Sequence, residues 1–404
     1  MDAQSDIEES NVLTSVLSAF YGYGDWLRST HLTPKTIRYD SLSAEDQKLL
    51  AWFPEYLQRF AKAIDANEKL FQEIAVSSAE NFGVPIDPIA WHHALESDFA
   101  KVDNVVSQIL REWTEDGKAE RDVCFGKILG ELQERFPNVE ERPQLKCLLP
   151  GTGLGRMLLE MVRLGFLSIG NEYTYHMITM SFFILNNVQR PNQYTLHPFL
   201  GKSKNVSSRE NQLKSVTFPD SSPHERTKFM EQNPQIEFSD LMSMVTGSFL
   251  DLYGPPGLSF SNEYTANIET AEFRSQNKSS LDVIATCFFL DTAINIIDYL
   301  KAIHHCLKPN GIWLNFGPLL WHWEDDNTTI KLTSQNRDGS QKDEYVPTKG
   351  LELSRDDLIQ LCNDIGFVFE KHESGLEATY GSDRRSLGEF RYKCEFWVCR
   401  KSQK

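Results

Sequence analysis

Three glycines and one glutamate near the middle of the chain have the types and spacing to form a binding site. The stretch CLLPGTGLGR, residues 147–156, runs from apolar residues into a turn with Gly151, Gly153 and Gly155 at alternate positions. Glycine reaches backbone conformations that other residues avoid, and it lets a ligand approach the main chain closely. Glu172 follows Gly151 by 21 residues. A carboxylate at about that distance from such a turn can accept hydrogen bonds from both hydroxyls of a ribose.

The spacing of these glycines excludes some classes of ligand but does not identify the ligand. A phosphate-binding P-loop needs a lysine and a serine or threonine after its last glycine. Here Arg156 follows Gly155, which argues against a nucleoside triphosphate. A dinucleotide turn reads G-x-G-x-x-G, and the third glycine here comes one place early. The turn with Glu172 therefore predicts an adenosine group, as found in S-adenosylmethionine (SAM) or NAD, with an exposed loop glutamate as the alternative.

Strands and helices that could position this turn alternate from Leu145 onward. Strands are predicted at LKCLLPG, FLSIGNE, MSMVTGSF, LDVIATCFFLD, GIWLNFGP, FVFEKHES and KCEFWVCRK, and helices at GRMLLEMVRLGF, TYHMITMSFFILNNV, TAINIIDYLKAIHHCLK and SRDDLIQLCNDIG. This order is typical of an α/β fold with a doubly wound, mostly parallel sheet. Uninterrupted apolar strands such as VIATCFFL indicate a sheet covered on both faces.

The remaining segments suggest the domain organisation. Residues 1–120 carry apolar residues at helical spacing and are predicted to be a helical region, followed by an α/β domain over residues 121–404. Two polar segments, 191–237 and 324–350, interrupt the alternation and are predicted to be insertions at the loop side of the sheet. The second has so few apolar residues that we expect it to be flexible.

Composition excludes several classes of partner. The chain has 57 acidic and 41 basic residues, a net charge of -16, which disfavours binding to nucleic acid or anionic membranes. No apolar run approaches the length of about 18 residues that a membrane helix needs. The acidic start and the seven cysteines without C-x-x-C spacing indicate a cytoplasmic protein with reduced thiols. An additional nuclear location stays open. The protein could also form a homodimer. His304 and His305 have no companion ligand set, so no metal site is predicted.

A specific connection in the second half resembles one fold family. The segment LDVIATCFFLDTAINIIDYLKAIHHCLKPNGIWLNFGP contains a strand with an acidic end, a helix, a Lys-Pro-Asn-Gly turn and another strand. It resembles class I SAM-dependent methyltransferases, and the resemblance extends over residues 145–401. It implies a Rossmann-like doubly wound sheet in which the last two strands form an antiparallel C-terminal hairpin.

Several longer strings resemble a narrower family. LREWTEDGKAERD, LPGTGLGR, GNEYTYHM, CFFLDTAINIIDY, GIWLNFGPLLWHWE and YKCEF occur in the order of the carnosine N-methyltransferase family, between about residues 108 and 397. That family transfers a methyl group from SAM to an imidazole nitrogen of carnosine (β-alanyl-histidine). Its products are anserine and S-adenosylhomocysteine (SAH), and it needs no metal.

The glycine turn and the resemblance together imply a set of cofactor-binding residues: Gln108, Arg111, Gly151, Gly153, Glu172, Ser248, Phe249 and Cys287. Gln108 and Arg111 are three residues apart and share one helix face, so the N-terminal region is expected to cover the cofactor. Arg111 could hold the methionine carboxylate bidentately, or it could be a solvated arginine. Ser248 departs from the family, which has an acidic residue there, so we expect weaker or water-mediated binding of adenine.

The resemblance also implies that Asp291, His322 and Tyr392 contact the substrate and act in catalysis. A carboxylate that accepts the N–H of a neutral imidazole fixes its tautomer and presents the other nitrogen for attack. Asp291 is the candidate for this carboxylate, although an aspartate here could instead cap the following helix. His322, between Trp321 and Trp323, could be structural, and Tyr392 could be an ordinary aromatic residue beside a strand.

The interpretation that follows is a SAM-dependent N-methyltransferase that acts on a small, histidine-containing dipeptide. A second interpretation changes the acceptor to a histidine in a peptide or protein, or to another small imidazole. A third is a methyltransferase-like binding protein without catalysis, which Ser248 favours and the intact glycine turn, Asp291 and His322 oppose.

Overall fold

The computed structural model of the protein describes residues 3–261, 265–326, 329–335, 341–347 and 350–402. Its strands are β1 (Lys146–Pro150), β2 (Leu167–Glu172), β3 (Tyr194–Leu196), β4 (Val216–Phe218), β5 (Met242–Thr246), β6 (Leu281–Cys287), β7 (Leu307–Gly317), β8 (Thr329–Gln335), β9 (Gln341–Pro347), β10 (Phe367–Ala378) and β11 (Tyr392–Lys401).

The helices fall into two groups, before and after β1. Those before it are α1 (Ala3–Tyr21), α2 (Tyr23–Leu27), α3 (Thr33–Asp40), α4 (Ala44–Leu49), α5 (Phe53–Phe82), α6 (Glu96–Trp113) and α7 (Lys118–Arg135). Those after it are α8 (Arg156–Arg163), α9 (Tyr175–Phe182), α10 (Arg209–Gln212), α11 (Lys228–Gln232), α12 (Phe238–Leu241), α13 (Phe249–Tyr253), α14 (Ile268–Gln276), α15 (Ile296–Cys306) and α16 (Arg355–Ile365).

Seven strands of the described chain form one sheet, in the order β10–β11–β7–β6–β1–β2–β5. β1 pairs in parallel with β2 and β6, and the parallel pairing continues outward to β5 and β7. β11 runs antiparallel between β7 and β10. This is the predicted doubly wound sheet with an antiparallel C-terminal hairpin, so the predicted class I methyltransferase fold is confirmed.

The apolar character of the strands follows from helices on both faces. Along β6, Val283 and Ala285 join a core with residues of α7 and α8, whereas Ile284 between them joins a core with residues of α15 and α16. Because alternate residues of a strand point to opposite faces, a strand covered on both sides has no polar face. The continuous apolar run that predicted a doubly covered sheet is explained in this way.

The parallel strands bring the candidate residues to one edge of the sheet. The glycine turn follows Pro150 at the end of β1, Glu172 is the last residue of β2, and Cys287 is the last residue of β6. In open α/β sheets, ligands bind outside the carboxyl ends of the strands. The strand order therefore positions these side chains around a common crevice.

The N-terminal helices share a hydrophobic core with the polar segment 191–237. Leu17, Phe71 and Val105 belong to the same buried cluster as Leu196 and Phe218 of β3 and β4. The segment therefore has strand structure that its composition did not predict, because its few apolar residues pack against the N-terminal helices. Asp220 in this segment also accepts hydrogen bonds from Arg121 and Arg156, which ties it to α7 and α8.

The second polar segment also contains strands in its described part. β8 and β9 pair antiparallel in register from Thr329 opposite Pro347 to Gln335 opposite Gln341. The predicted flexible segment 324–350 therefore includes a regular hairpin, while residues 327–328, 336–340 and 348–349 lie outside the described residues. No helix in the described ranges is long and apolar enough to cross a membrane.

Candidate active site

The glycine turn and Glu172 are joined by hydrogen bonds. Gly153 N–H donates to Glu172 Oε2 at 3.0 Å, and the amides of Tyr173 and Thr174 each donate to Oε1 at 2.9 Å. Burial raises the pKa of Glu172, which these amide donors oppose. The glutamate is therefore held rigidly at the tip of β2, and it is not an exposed loop residue.

The turn needs glycine at Gly151 and Gly153 for two reasons. Their φ angles are +65° and +59°, a region that residues with a side chain seldom adopt. A Cβ on Gly151 would lie 2.6 Å from the Phe289 ring, and one on Gly153 would lie 2.7 Å from Glu112 Oε1. Both glycines thus let other groups reach the main chain.

Glu112, which the sequence analysis missed, anchors α6 to this turn. Its carboxylate accepts the Leu154 N–H at Oε1 and the Arg156 N–H at Oε2, each at 3.3 Å. These amides precede or begin α8, where the helix dipole favours a negative charge. Burial raises the pKa of Glu112. The C-terminal end of α6 consequently lies directly over the glycine turn.

Gln108 and Arg111 project from the same part of α6, as the helical spacing predicted. Gln108 Nε2 donates to the Tyr380 hydroxyl at 2.5 Å, while its Oε1 is buried without a hydrogen-bond partner among the described residues. Arg111 Nε donates to Glu120 Oε1 at 2.7 Å. The guanidinium carbon lies 4.5 Å from the centroid of the Tyr380 ring. The buried Arg111 is therefore not a solvated surface arginine.

Aromatic side chains form one wall beside the glycine turn. The ring of Phe249 lies 5.4 Å from that of Phe289 and 5.5 Å from that of Tyr299, edge to face in both cases. Phe289 and Tyr299 stack with centroids 4.9 Å apart. Ser248, just before Phe249, uses its hydroxyl to cap α13 by accepting the Asp251 N–H at 3.4 Å. The wall is apolar apart from this hydroxyl and the phenol of Tyr299.

The backbone after Cys287 is strained where the sheet meets the crevice. Phe288 has a φ of +53°, although it carries a large side chain. Its amide donates to Phe316 O at 2.8 Å, which holds this conformation. The Phe288 ring then lies 5.0 Å from the Tyr380 ring and 5.9 Å from the Tyr392 ring. Strain of this kind concentrates at functional sites, and nothing in the sequence marked Phe288.

Asp291 is a buried carboxylate and does not cap α15. Its side chain is 3% exposed, and its Oδ2 accepts the Leu320 N–H at 3.2 Å. The cap of α15 is Asn295, whose Oδ1 accepts the Ile297 N–H at 3.1 Å. The alternative that Asp291 is only a helix cap is therefore wrong. Burial raises the pKa of Asp291 to about 7, so a small change in its surroundings alters its charge near neutral pH.

His322 and Tyr392 lie next to Asp291. The backbone N–H of His322 donates to the backbone carbonyl of Asp291 at 3.0 Å. Partial desolvation lowers the pKa of the His322 ring. Burial and the negative charge of Asp291 raise the pKa of Tyr392, so the phenol stays protonated. The flanking Trp321 and Trp323 donate their indole N–H groups to backbone carbonyls, which fixes the segment that carries His322.

The site offers acidic, aromatic and hydroxyl groups but no assembled metal ligands. Within the ranges that the structure describes, no three histidine, cysteine, aspartate or glutamate side chains are arranged to hold a metal ion. The structure brings the His322 backbone against Asp291 and places Tyr392 near enough for the charge of Asp291 to raise its pKa, while their roles toward a substrate stay predictions.

A family model described as Carnosine N-methyltransferase matches residues 88–403. The chain belongs to the carnosine N-methyltransferase family. A relative of that name from Schizosaccharomyces pombe is 32% identical over 401 residues, covering 98% of this chain and 97% of that protein. The Mus musculus carnosine N-methyltransferase is 32% identical over 395 residues, covering 96% of this chain and 85% of that protein. A third relative, Carnosine N-methyltransferase unmet from Drosophila melanogaster, is 30% identical and covers 98% of this chain and 80% of its own length.

Membership of the carnosine N-methyltransferase family confirms the predicted family and makes the chain a methyltransferase. Within that frame, four residues around the crevice escaped the sequence analysis: Glu112, Glu120, Phe288 and Tyr380. Glu112 and Glu120 occur in the string LREWTEDGKAERD, which carried part of the resemblance. A signal was therefore present in the sequence, although it gave these residues no role.

Proposed function

We propose that this protein transfers a methyl group from SAM to an imidazole nitrogen of carnosine, giving anserine and SAH. The observation that carries the proposal is Asp291, a buried carboxylate at the ligand edge of the sheet with His322 and Tyr392 beside it. Membership of the carnosine N-methyltransferase family supplies the class of acceptor.

The residues of the crevice fit SAM. Gly151 and Gly153 adopt positive φ angles in the turn after β1, and Phe289 and Glu112 pack so closely against them that neither position has room for a Cβ. Glu172 is positioned by three amide donors, and the remaining acceptor site on Oε2 can take a ribose hydroxyl. The buried Gln108 Oε1, unpaired within the described residues, can accept from an N–H or O–H of the ligand.

Arg111 can bind the methionine carboxylate only through the two Nη groups of its guanidinium. Its Nε is committed to Glu120, so a bidentate pair with a ligand carboxylate is left to Nη1 and Nη2. Phe249 would line the adenosine side, and Cys287, which interacts with Arg111 and Cys124, the methionine side. Ser248, which already caps α13, offers adenine a hydroxyl where the family has an acidic group.

The chemistry of the chain itself concerns the protonation of the imidazole. Bound SAM supplies an activated methyl group on its sulfonium. Asp291 accepts the imidazole N–H, which leaves the lone pair of the other nitrogen available and stabilises the imidazolium that forms. A pKa of about 7 lets Asp291 take up the proton of the product, because the two groups have similar basicity. The protonated phenol of Tyr392 and the neutral ring of His322 would donate hydrogen bonds to the substrate.

The pH dependence of kcat/KM for carnosine tests the role of Asp291. Because burial raises its pKa to about 7, the carboxylate form dominates above that pH and is lost as the pH falls. The imidazole of carnosine, with an ordinary pKa of about 6.5, loses its nucleophilic form over the same range. We expect log kcat/KM to be level above about pH 8 and to fall toward a slope of two below about pH 6.

The matched comparison is the same profile for Asp291→Asn. Its residual rate is expected to fall with a slope of only one, because only the substrate still titrates. A slope of one in the wild-type protein would contradict the assigned protonation of Asp291.

A direct assay tests the proposed function as a whole. Purified protein is incubated with methyl-labelled SAM and carnosine, and the position of the label is located by mass spectrometry. Label on the imidazole ring is expected. If SAH binds by calorimetry and carnosine is not labelled, the acceptor is wrong, and other small imidazoles and histidine peptides are tested next. If neither SAM nor SAH binds, the catalytic proposal itself fails.

A further inference from the structure

Glu120, in the first turn of α7, joins the end of α6, which is near in the chain, to the distant connection between β10 and β11. Its side chain is 6% exposed. Its carboxylate accepts Arg111 Nε at 2.7 Å, the Thr379 hydroxyl at 2.8 Å and the Gly381 N–H at 3.1 Å and 3.2 Å. Thr379 and Gly381 lie more than 250 residues away in sequence, at the start of the connection between β10 and β11.

On one side, Glu120 determines how Arg111 is presented. An arginine has its five N–H donors in a rigid plane, so anchoring Nε fixes the direction of both Nη groups. The remaining contacts of this guanidinium are weaker: Nη2 reaches Cys124 Sγ at 3.6 Å, and Nη1 lies 3.9 Å from Glu112 Oε1. The short contact with Glu120 therefore sets the geometry of Arg111.

On the other side, Glu120 holds both chain neighbours of Tyr380. The ring of Tyr380 consequently lies over Arg111 and 5.0 Å from the Phe288 ring, and its hydroxyl accepts from Gln108. Although part of the ring is exposed, burial raises the pKa of Tyr380 to about 12, so the phenol is neutral. The connection that begins here runs on to Tyr392, the first residue of β11.

We propose that Glu120 is a positioning residue that sets Arg111 and the β10–β11 connection from one buried carboxylate. The side of the site that would take the methionine carboxylate and the side that would take the acceptor then depend on the same anchor. The assignment of these two sides rests on the proposed function, whereas the anchoring itself does not.

A buried ion pair could also serve only the stability of the fold, so the test needs a matched pair. Glu373 provides it: its Oε2 accepts from Lys127 Nζ at 2.7 Å, and this pair also joins α7 to β10. The pair is partly exposed, and Glu373 also lies 3.7 Å from Lys371 Nζ on β10. Glu373→Gln therefore removes a more exposed link, which runs from α7 to β10 and not to the β10–β11 connection.

The variants separate the two arms of the anchor. In Glu120→Gln the amide oxygen can still accept from Arg111, but the amide nitrogen faces the Gly381 N–H, which is only a donor, and it bonds Thr379 only if that hydroxyl turns to accept. The charge-assisted pair with Arg111 becomes a weaker, neutral hydrogen bond. Thr379→Val keeps the Arg111–Glu120 pair and removes only the hydroxyl on the connection.

Two measurements on the full chain need no acceptor: the Kd of SAH by calorimetry and the hydrogen exchange of peptides covering residues 379–391. We expect Glu120→Gln to raise the Kd about tenfold and to speed exchange by about tenfold or more. Thr379→Val is expected to speed exchange while the Kd of SAH stays within about twofold of the wild-type value. Glu373→Gln is expected to change neither quantity, because exposed ion pairs contribute little.

The KM for carnosine is then compared, with thermal unfolding used to check that each variant is folded. It is expected to rise in Glu120→Gln and Thr379→Val and to stay unchanged in Glu373→Gln. If Glu120→Gln leaves both the Kd of SAH and the exchange of residues 379–391 as in the wild type, the proposal is overturned. If Glu120→Gln fails to fold, unchanged exchange in Thr379→Val overturns it. Absence of carnosine methylation in the wild type refutes the proposed acceptor and leaves the two binding measurements decisive for Glu120.

Discussion

Replacing Asp291 by asparagine is expected to lower kcat for carnosine methylation by about 10²- to 10³-fold, within the usual range for loss of an acid–base group. Asparagine keeps the size of the side chain, and its Oδ1 can still accept the Leu320 N–H that Asp291 Oδ2 accepts at 3.2 Å. The fold of this segment should therefore survive. What is lost is the negative charge that selects one tautomer of the imidazole and stabilises the imidazolium.

The measurement is steady-state kinetics together with the Kd of SAH, which should remain within about twofold of the wild-type value because Asp291 acts on the acceptor. Asp356→Asn, at a position whose side chain is 82% exposed, serves as the control and should leave both quantities unchanged. Near-normal turnover in Asp291→Asn would refute the catalytic role of Asp291. Its carboxylate would then serve only to hold the segment that carries His322.

Glu172→Gln is expected to raise the Kd of SAH by on the order of 100-fold, about 2.7 kcal/mol. Glu172 uses both oxygens for amides, Oε2 for Gly153 and Oε1 for Tyr173 and Thr174. Whichever oxygen becomes an NH₂ group, a donor then faces a buried donor, which leaves a polar group unsatisfied. The ribose hydroxyls would also lose a charged acceptor.

Calorimetry with SAH measures this effect independently of the acceptor. Glu134→Gln, an exposed glutamate on α7, is the matched control and should bind SAH normally. An affinity of Glu172→Gln within about threefold of the wild type would refute the assignment of Glu172 to the ribose. A marked fall in thermal stability alone would show that the glutamate serves only to hold the glycine turn.

Local sequence patterns were sufficient for the layout of the sheet. The alternating strands and helices after Leu145, the glycine turn and the acidic end of β2 are each set by residues close in sequence. Periodicity and glycine content act over a few residues, so they can be recognised without tertiary information. The same reasoning placed Gln108 and Arg111 on one face of a helix, which α6 confirms.

Patterns failed where a segment folds against a distant partner. The polar segment 191–237 contains too few apolar residues to form a core alone, yet Leu196 and Phe218 are buried against the N-terminal helices. Likewise, the sequence alone left open whether Asp291 caps a helix, because either role suits an aspartate after a strand. In the structure α15 begins at Ile296, four residues after the predicted start at Thr292, and Asn295 is its cap. Asp291 is buried.

The sequence by itself determined the class of fold, the family and most of the candidate residues, since these depend on local spacing and on long strings of residue identities. Only the tertiary structure decided how the residues act together. Glu120 contacts Arg111 nine residues away and Gly381 261 residues away through one carboxylate. Such a meeting depends on the packing of α6, α7 and the β10–β11 connection at the edge of the sheet, and no local pattern encodes a contact between segments that distant in the chain.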